Sequence, residues 1–147
     1  MKKALNDFWS WLNISPEEYA VHDIEYTNDH MEFDYPKFEM LKKMAFKIID
    51  SDIMDDDQIY DVLTVMAIDN EEECVLDYIE ENSSSEQLQR IVAIGVSHMQ
   101  PNTRWQVAEL VFRRCPKNYI DFLRQLSNDS HFYVKQRANN CIKKLIE

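Results

Sequence analysis

The chain has 147 residues and a formal net charge of −11, with 45% hydrophobic and 29% charged residues; this balance suits one folded domain and excludes a disordered tail. Gly95 is its single glycine, which excludes glycine-rich phosphate loops and argues against a β fold built on tight turns. Charge is segregated, with nine acids and six bases in residues 1–49, fourteen acids and no base in 50–86, and four acids and ten bases in 87–147.

The opening MKKALNDFWSWLN has a positive front, but Asn6 and Asp7 interrupt the apolar core a signal peptide needs. No apolar run approaches the ~20 residues of a membrane span, so the expected location is the cytoplasm, without membrane contact. Residues 3–12 read as a short amphipathic helix with Leu5, Phe8, Trp9 and Leu12 on one face. Ser15-Pro16-Glu17-Glu18 is a capping box with proline at the first helical position. Residues 23–35 have no clear period and read as a loop. Pro36 is expected to open a helix to Asp50 whose inner face is Phe38, Leu41, Met44, Ala45 and Ile48.

Asp50–Asp57 reads as a turn, with Asp55 capping a helix that buries Ile59, Val62, Leu63 and Met66. Asn70 with Glu73 is expected to cap the next helix, with Cys74, Val75, Tyr78 and Ile79 as its stripe, and Ser83 with Glu86 the one after, with Leu88, Ile91, Val92 and Gly95. Pro101 starts a helix to about Arg114, and Cys115-Pro116 breaks it. A short helix carries Tyr119, Ile120, Leu123 and Leu126. Asn128–Ser130 reads as turn and cap, and a last helix carries Val134, Ala138, Cys141 and Leu145. Nothing alternates with period two. The expected fold is therefore all-α, a single domain over 1–147: N-terminal helices and loop in 1–35, acidic helix pairs in 36–85, and helical repeats in 86–147.

The repeat is visible in sequence. Thr103-Arg104-Trp105-Gln106-Val107-Ala108 aligns with Val134-Lys135-Gln136-Arg137-Ala138-Asn139 at an offset of 31 residues, and Leu88-Gln89-Arg90-Ile91-Val92-Ala93 is a weaker echo. The pattern resembles the HEAT repeat in its short bacterial form, in which a turn with an acid precedes a helix bearing Val-Arg-x-x-Ala-Ala. The resemblance implies a short α-solenoid of antiparallel helix pairs. It also implies that basic residues such as Arg104 pair with an acid in a neighbouring turn.

No catalytic set declares itself. His22, His30, His98 and His131 have no metal spacing, no HExxH is present, and no His-Glu pair supports the di-iron branch of HEAT proteins. A calcium loop near Asp50 fails because Met54 takes a ligand position and Asp55 replaces the required glycine. Cys74, Cys115 and Cys141 lack CxxC or CxxH spacing and read as small buried hydrophobes in a reducing compartment. No metal or cofactor is expected. Trp9, Trp11, Tyr60, Tyr78, Phe112, Phe132 and Tyr133 read as core and groove residues.

The base-free segment points to a basic protein partner, because opposed fields steer encounter. The expected binding residues are Asp55, Asp56, Asp57, Asp61, Glu71, Glu72, Glu73, Asp77, Glu80 and Glu81. Glu71–Glu73 also read as first-turn acids favourable to a helix dipole. Small size, no catalytic set and concentrated acidity resemble the immunity proteins of bacterial toxin systems, which implies neutralisation of a basic toxin, such as a nuclease, by occlusion. One alternative is a basic C-terminal face, with Arg104, Arg113, Arg114 and Arg137 among its cations, that binds nucleic acid as in HEAT-like glycosylases; the overall charge opposes it. Others are an adaptor or homodimer, or basic repeats docked on the chain's own acidic middle.

Overall fold

The computed structural model describes residues 1–21 and 32–147. Within them all regular structure is helical and no strand occurs. Helix α1 (Lys2–Leu12) buries Leu5, Phe8, Trp9 and Leu12, spaced three and four apart as a packed stripe requires. It ends where Asn13 turns left-handed at φ 62°, a conformation asparagine tolerates. Helix α2 (Pro16–Val21) begins as its cap foretold, with Ser15 Oγ accepting from Glu18 N at 3.1 Å. The loop expected over 23–35 lies outside the described residues up to 31. Beyond that, Glu32–Asp34 form a 3-10 turn closed by Tyr35 N on the Glu32 carbonyl.

Helix α3 (Phe38–Ile49) starts two residues after Pro36, because Phe38 N bonds the Tyr35 carbonyl and closes a turn over Pro36–Lys37. Its buried stripe is Phe38, Leu41, Lys42, Ala45 and Ile49, while Met44 and Ile48 are half-buried. The helix is thus rotated from the expected face, and the rotation brings Lys42 inside. Helix α4 (Asp56–Ile68) has the expected cap, completed reciprocally: Asp55 Oδ1 accepts from Gln58 N at 2.7 Å, and Gln58 Oε1 from Asp55 N at 2.9 Å. The expected inner face is buried, but so is every residue from Asp61 to Asp69. Helix α4 packs against α1, α3, α5, α6 and α7, and a helix apolar nearly all round belongs at the centre.

The caps expected for the next two helices are corrected. Helix α5 (Cys74–Asn82) takes its cap from Asp69, whose Oδ2 accepts from Val75 N at 2.9 Å. Asn70 instead donates to the Ala67 carbonyl at 2.9 Å, and Glu73 stands left-handed at φ 56° with no side-chain cap. Glu71–Glu73 therefore precede the helix and are not its first turn. Helix α6 (Ser85–Gly95) is capped by Ser84 with Gln87, one residue later than expected. The amide wins over Glu86 because Gln87 Nε2 also donates to the Ile49 and Ser51 carbonyls, which a carboxylate cannot do. Ser83 donates to the Ile79 carbonyl at 2.6 Å.

Helix α7 (Pro101–Arg114) has the expected bounds and ends at Cys115, left-handed at φ 47°. Helix α8 (Tyr119–Ser127) buries Leu123 and Leu126. Helix α9 (Phe132–Leu145) buries Val134, Ala138 and Cys141, with Leu145 half-buried. Its cap is His131, whose Nδ1 accepts from Tyr133 N at 3.3 Å, rather than Asn128–Ser130. Helices α4, α7 and α9 are successive neighbours, α6 lies against α4 and α7, and α8 lies against α7 and α9. Gly95 permits the α6–α7 approach, since a Cβ there would meet Val107 Cγ2 at 2.6 Å. Of the three cysteines read as buried, Cys141 is buried, Cys74 is half-buried and Cys115 is exposed, held at the surface by the turn that ends α7. Among the aromatics, Trp9 is buried, whereas Phe132 at the start of α9 is 75% exposed.

Candidate interaction surface

The acidic segment comes to the surface at two places. The first is the start of α4. Asp55 caps the helix, Asp56 pairs with Arg90 at 2.8 Å, and Asp57 is exposed with no ion pair among the described residues. One turn further, Asp61 is turned inward, pairs with Lys2 at 3.5 Å, and has its pKa raised by burial. A groove of about 740 Å3 runs here between the starts of α1 and α4 and the end of α3. Met44 and Ile48 provide apolar lining, with Asp55, Asp57, Lys2 and Lys47 also along it.

The second place is α5 and the turn before it. Glu71 and Glu81 are exposed and Glu73 is half-buried, none with an ion pair among the described residues. Glu72 lies 3.4 Å from Lys42. Asp77 and Glu80 grip Arg113 at 3.1 and 2.9 Å. Arg114 Nη1 donates to the Glu80 carbonyl at 2.6 Å and to the Ser83 carbonyl at 3.3 Å. The end of α7 is thus clamped on α5, and two of the C-terminal arginines dock on the acidic middle. Tyr78 joins the two acidic areas by donating to Asp50 at 2.7 Å.

The ten expected acids therefore divide. Asp56, Asp61, Glu72, Asp77 and Glu80 are tied within the chain, whereas Asp55, Asp57, Glu71, Glu73 and Glu81 form no ion pair among the described residues. All four arginines of the alternative basic face are engaged. Arg104 forks onto Asp129 at 2.7 and 3.0 Å and reaches the His98 and Met99 carbonyls. Arg137 pairs with Glu109 at 2.7 Å and lies over the Trp105 ring. Both pairs join neighbouring helical segments, as the resemblance implied for Arg104. Burial works against the Asp129 charge, but Arg104 and the His131 amide hold its pKa below the ordinary value.

Sequence reasoning missed an inner cluster. Asp69, Glu72 and Cys74 bring one oxygen or sulfur atom each within 4.8 Å of one another. Lys42, 4% exposed, reaches in from α3 and touches Glu39 at 2.7 Å as well as Glu72. Burial opposes its charge, but the Glu39 hydrogen bond and the neighbouring acids keep its pKa above the ordinary lysine value. Burial pushes Asp69 up to about 6. Glu32 stands beside the cluster, where its Oε1 accepts from Tyr19 and Asn70, each at 3.3 Å. The available signal was a lysine between Leu41 and Ala45, on the inner stripe, and an aspartate closing the apolar run that ends at Ile68.

His131 caps α9, while His22 and His30 fall outside the described residues. His98 is buried, its ring stacked on Tyr60 at 4.1 Å. Gln100 N donates to Nδ1, so the neutral ring carries its proton on Nε2, facing Thr64 Oγ1 at 3.0 Å. Among the described residues no helix is long and apolar enough to cross a membrane. Compared with known proteins, this all-helical chain matches no protein family, no curated protein and no solved structure.

Proposed function

We propose that the chain is a short α-solenoid of HEAT-like helix pairs, that it works in the cytoplasm as a non-enzymatic protein-binding module, and more narrowly that it is an immunity protein occluding a basic toxin. The stacked arrangement is supported by the row α4, α7, α9 with α6 and α8 laid against it, and by the 31-residue repeat. One observation carries the functional reading. Residues 50–86 hold fourteen acids and no base, and Asp57, Glu71 and Glu81 remain exposed after the internal ion pairs are made. Such unpaired carboxylates steer a cationic partner and oppose its substrate-binding groups.

The test has two stages. The tagged chain is used to recover its partner from its native cell at low and high salt, and the partner is then expressed with and without the chain. The expected result is one stoichiometric basic protein, toxic alone and tolerated with the chain, and bound more weakly at high salt. In the variant Asp57→Lys, Glu71→Lys, Glu81→Lys the off-rate rises and the salt dependence shrinks. Unchanged affinity in that variant removes the acidic-face mechanism, and recovery of nucleic acid instead of a protein removes the reading as a whole.

A further inference from the structure

We propose that Asp69, Glu72 and Cys74 bind one divalent metal ion of the zinc class at the junction of α4 and α5. The cluster alone would not carry this, because exposed acids gather without ligands. The second observation is two orphaned oxygens. Among the described residues, Asp69 Oδ1 and Glu32 Oε2 are buried without a hydrogen-bond partner, in residues only 1% exposed, and both residues line one cavity of about 170 Å3. A buried carboxylate oxygen with no donor is costly. Two around one small cavity mark a place short of positive charge. Lys42 supplies one charge against Glu32, Asp69 and Glu72, and its hydrogen bonds go to Glu39 and Glu72, leaving Asp69 Oδ1 unanswered.

The donor set selects the ion. A thiol among carboxylates suits a borderline-soft metal, whereas calcium and magnesium prefer oxygen alone. Donors about 2.0–2.3 Å from a tetrahedral zinc stand about 3.5 Å apart; Cys74 Sγ and Glu72 Oε2 already stand 3.6 Å apart, and no pair in the set needs to close by more than about 1.3 Å. Asp69 is fixed, its Oδ2 held by Val75 N, which leaves Oδ1 as the ligand atom. Glu72 lies in the turn before α5 with its side chain 54% exposed, and Cys74 is half-buried at the first residue of the helix, so both can move to meet it. On binding, the thiol proton passes to solvent and the sulfur takes up the metal. Lys42 gives up Glu72 and keeps Glu39.

The test uses the full chain, freed of metal by a chelator and carrying Cys115→Ser to remove the exposed thiol. Co2+ alone is titrated while the thiolate-to-cobalt absorption is followed, and Zn2+ is then added in competition. The expected result is saturation at one ion per chain and displacement by zinc. Adding Cys74→Ser abolishes the band, and either Cys74→Ser or Glu72→Gln weakens zinc binding by at least roughly tenfold. Lys42→Met tightens it several-fold by removing the competing ammonium. The proposal is overturned if no saturable band forms, or if zinc affinity is the same in Cys74→Ser and Glu72→Gln while both variants melt as folded proteins.

Discussion

His98 shows how one buried side chain sets a pH limit on the whole chain. Burial pulls its pKa down from 6.5 to about 4, and the positive charge of Arg104 adds to the effect. Tyr60, Thr64 and Gln100 contact the ring and Arg104 holds its carbonyl, and none of these offers a negative charge to an imidazolium. The unfolded chain binds a proton near pH 6.5 and the folded chain only near 4. Stability is therefore complete above 6.5 and is lost as the pH falls through that window. Between pH 7 and 4.5 the native chain should lose about 2–3 kcal/mol more than His98→Asn, which keeps an acceptor for Gln100 N. Urea titration at the two pH values measures it, and equal losses would show that His98 is not the controlling group. Gly95→Ala tests the tightest packing. Alanine improves helix propensity by about 1 kcal/mol, but its Cβ meets Val107 Cγ2 at 2.6 Å, so net destabilisation of about 1–2 kcal/mol is expected. Adding Val107→Ala should recover part of the clash, and no recovery would place the cost elsewhere.

At the scale of elements, caps and ion pairs join one helix to the next. The fork from Arg104 to Asp129 ties the start of α7 to the turn before α9, with side chains only 14% and 9% exposed. Breaking a buried pair leaves an uncompensated charge, so Arg104→Ala should cost about 3–5 kcal/mol. Lysine should restore little, because it cannot span two carboxylate oxygens and two carbonyls. The exposed pair Asp56–Arg90 should be worth under about 1 kcal/mol by the same chemical denaturation. A smaller loss at Arg104 than at Arg90 would reverse this ordering. The stripes of α1, α4 and α6 were legible because apolar spacing survives packing. The face of α3 was not, because a lysine reads as solvent-exposed until its acids are in view, and Glu39 and Glu72 come together only in the fold. The caps at Asp69 and Ser84 were hidden for a related reason. Several polar residues stood in each turn, and distant partners chose among them: Ile49 and Ser51 for Gln87, and the buried end of α4 for Asp69.

For the whole molecule, the charge pattern was visible in sequence, but its division was not. Half of the expected acids are held by Lys2, Lys42, Arg90 and Arg113, all four of which lie outside the base-free segment 50–86 in sequence. What remains is a chain at −11 with carboxylates crowded at the start of α4 and along α5 and the turn before it. Two effects of salt then compete. Screening weakens the attractive pairs, but the exposed ones contribute little and the buried Arg104–Asp129 pair is poorly screened. Screening also relieves the long-range repulsion among excess acids, which acts on every exposed carboxylate. Repulsion is the larger quantity, so raising sodium chloride from about 0.02 to about 0.2 M at neutral pH should raise Tm by a few degrees. The triple reversal of Asp57, Glu71 and Glu81 should reduce that rise, because it removes the crowding. A Tm that falls with salt would mean the internal ion pairs dominate. Under the proposed function, binding to a basic partner would have the opposite sign, since there the same carboxylates would attract. Salt should then stabilise the free chain while loosening the proposed complex, and the same three residues should govern both slopes.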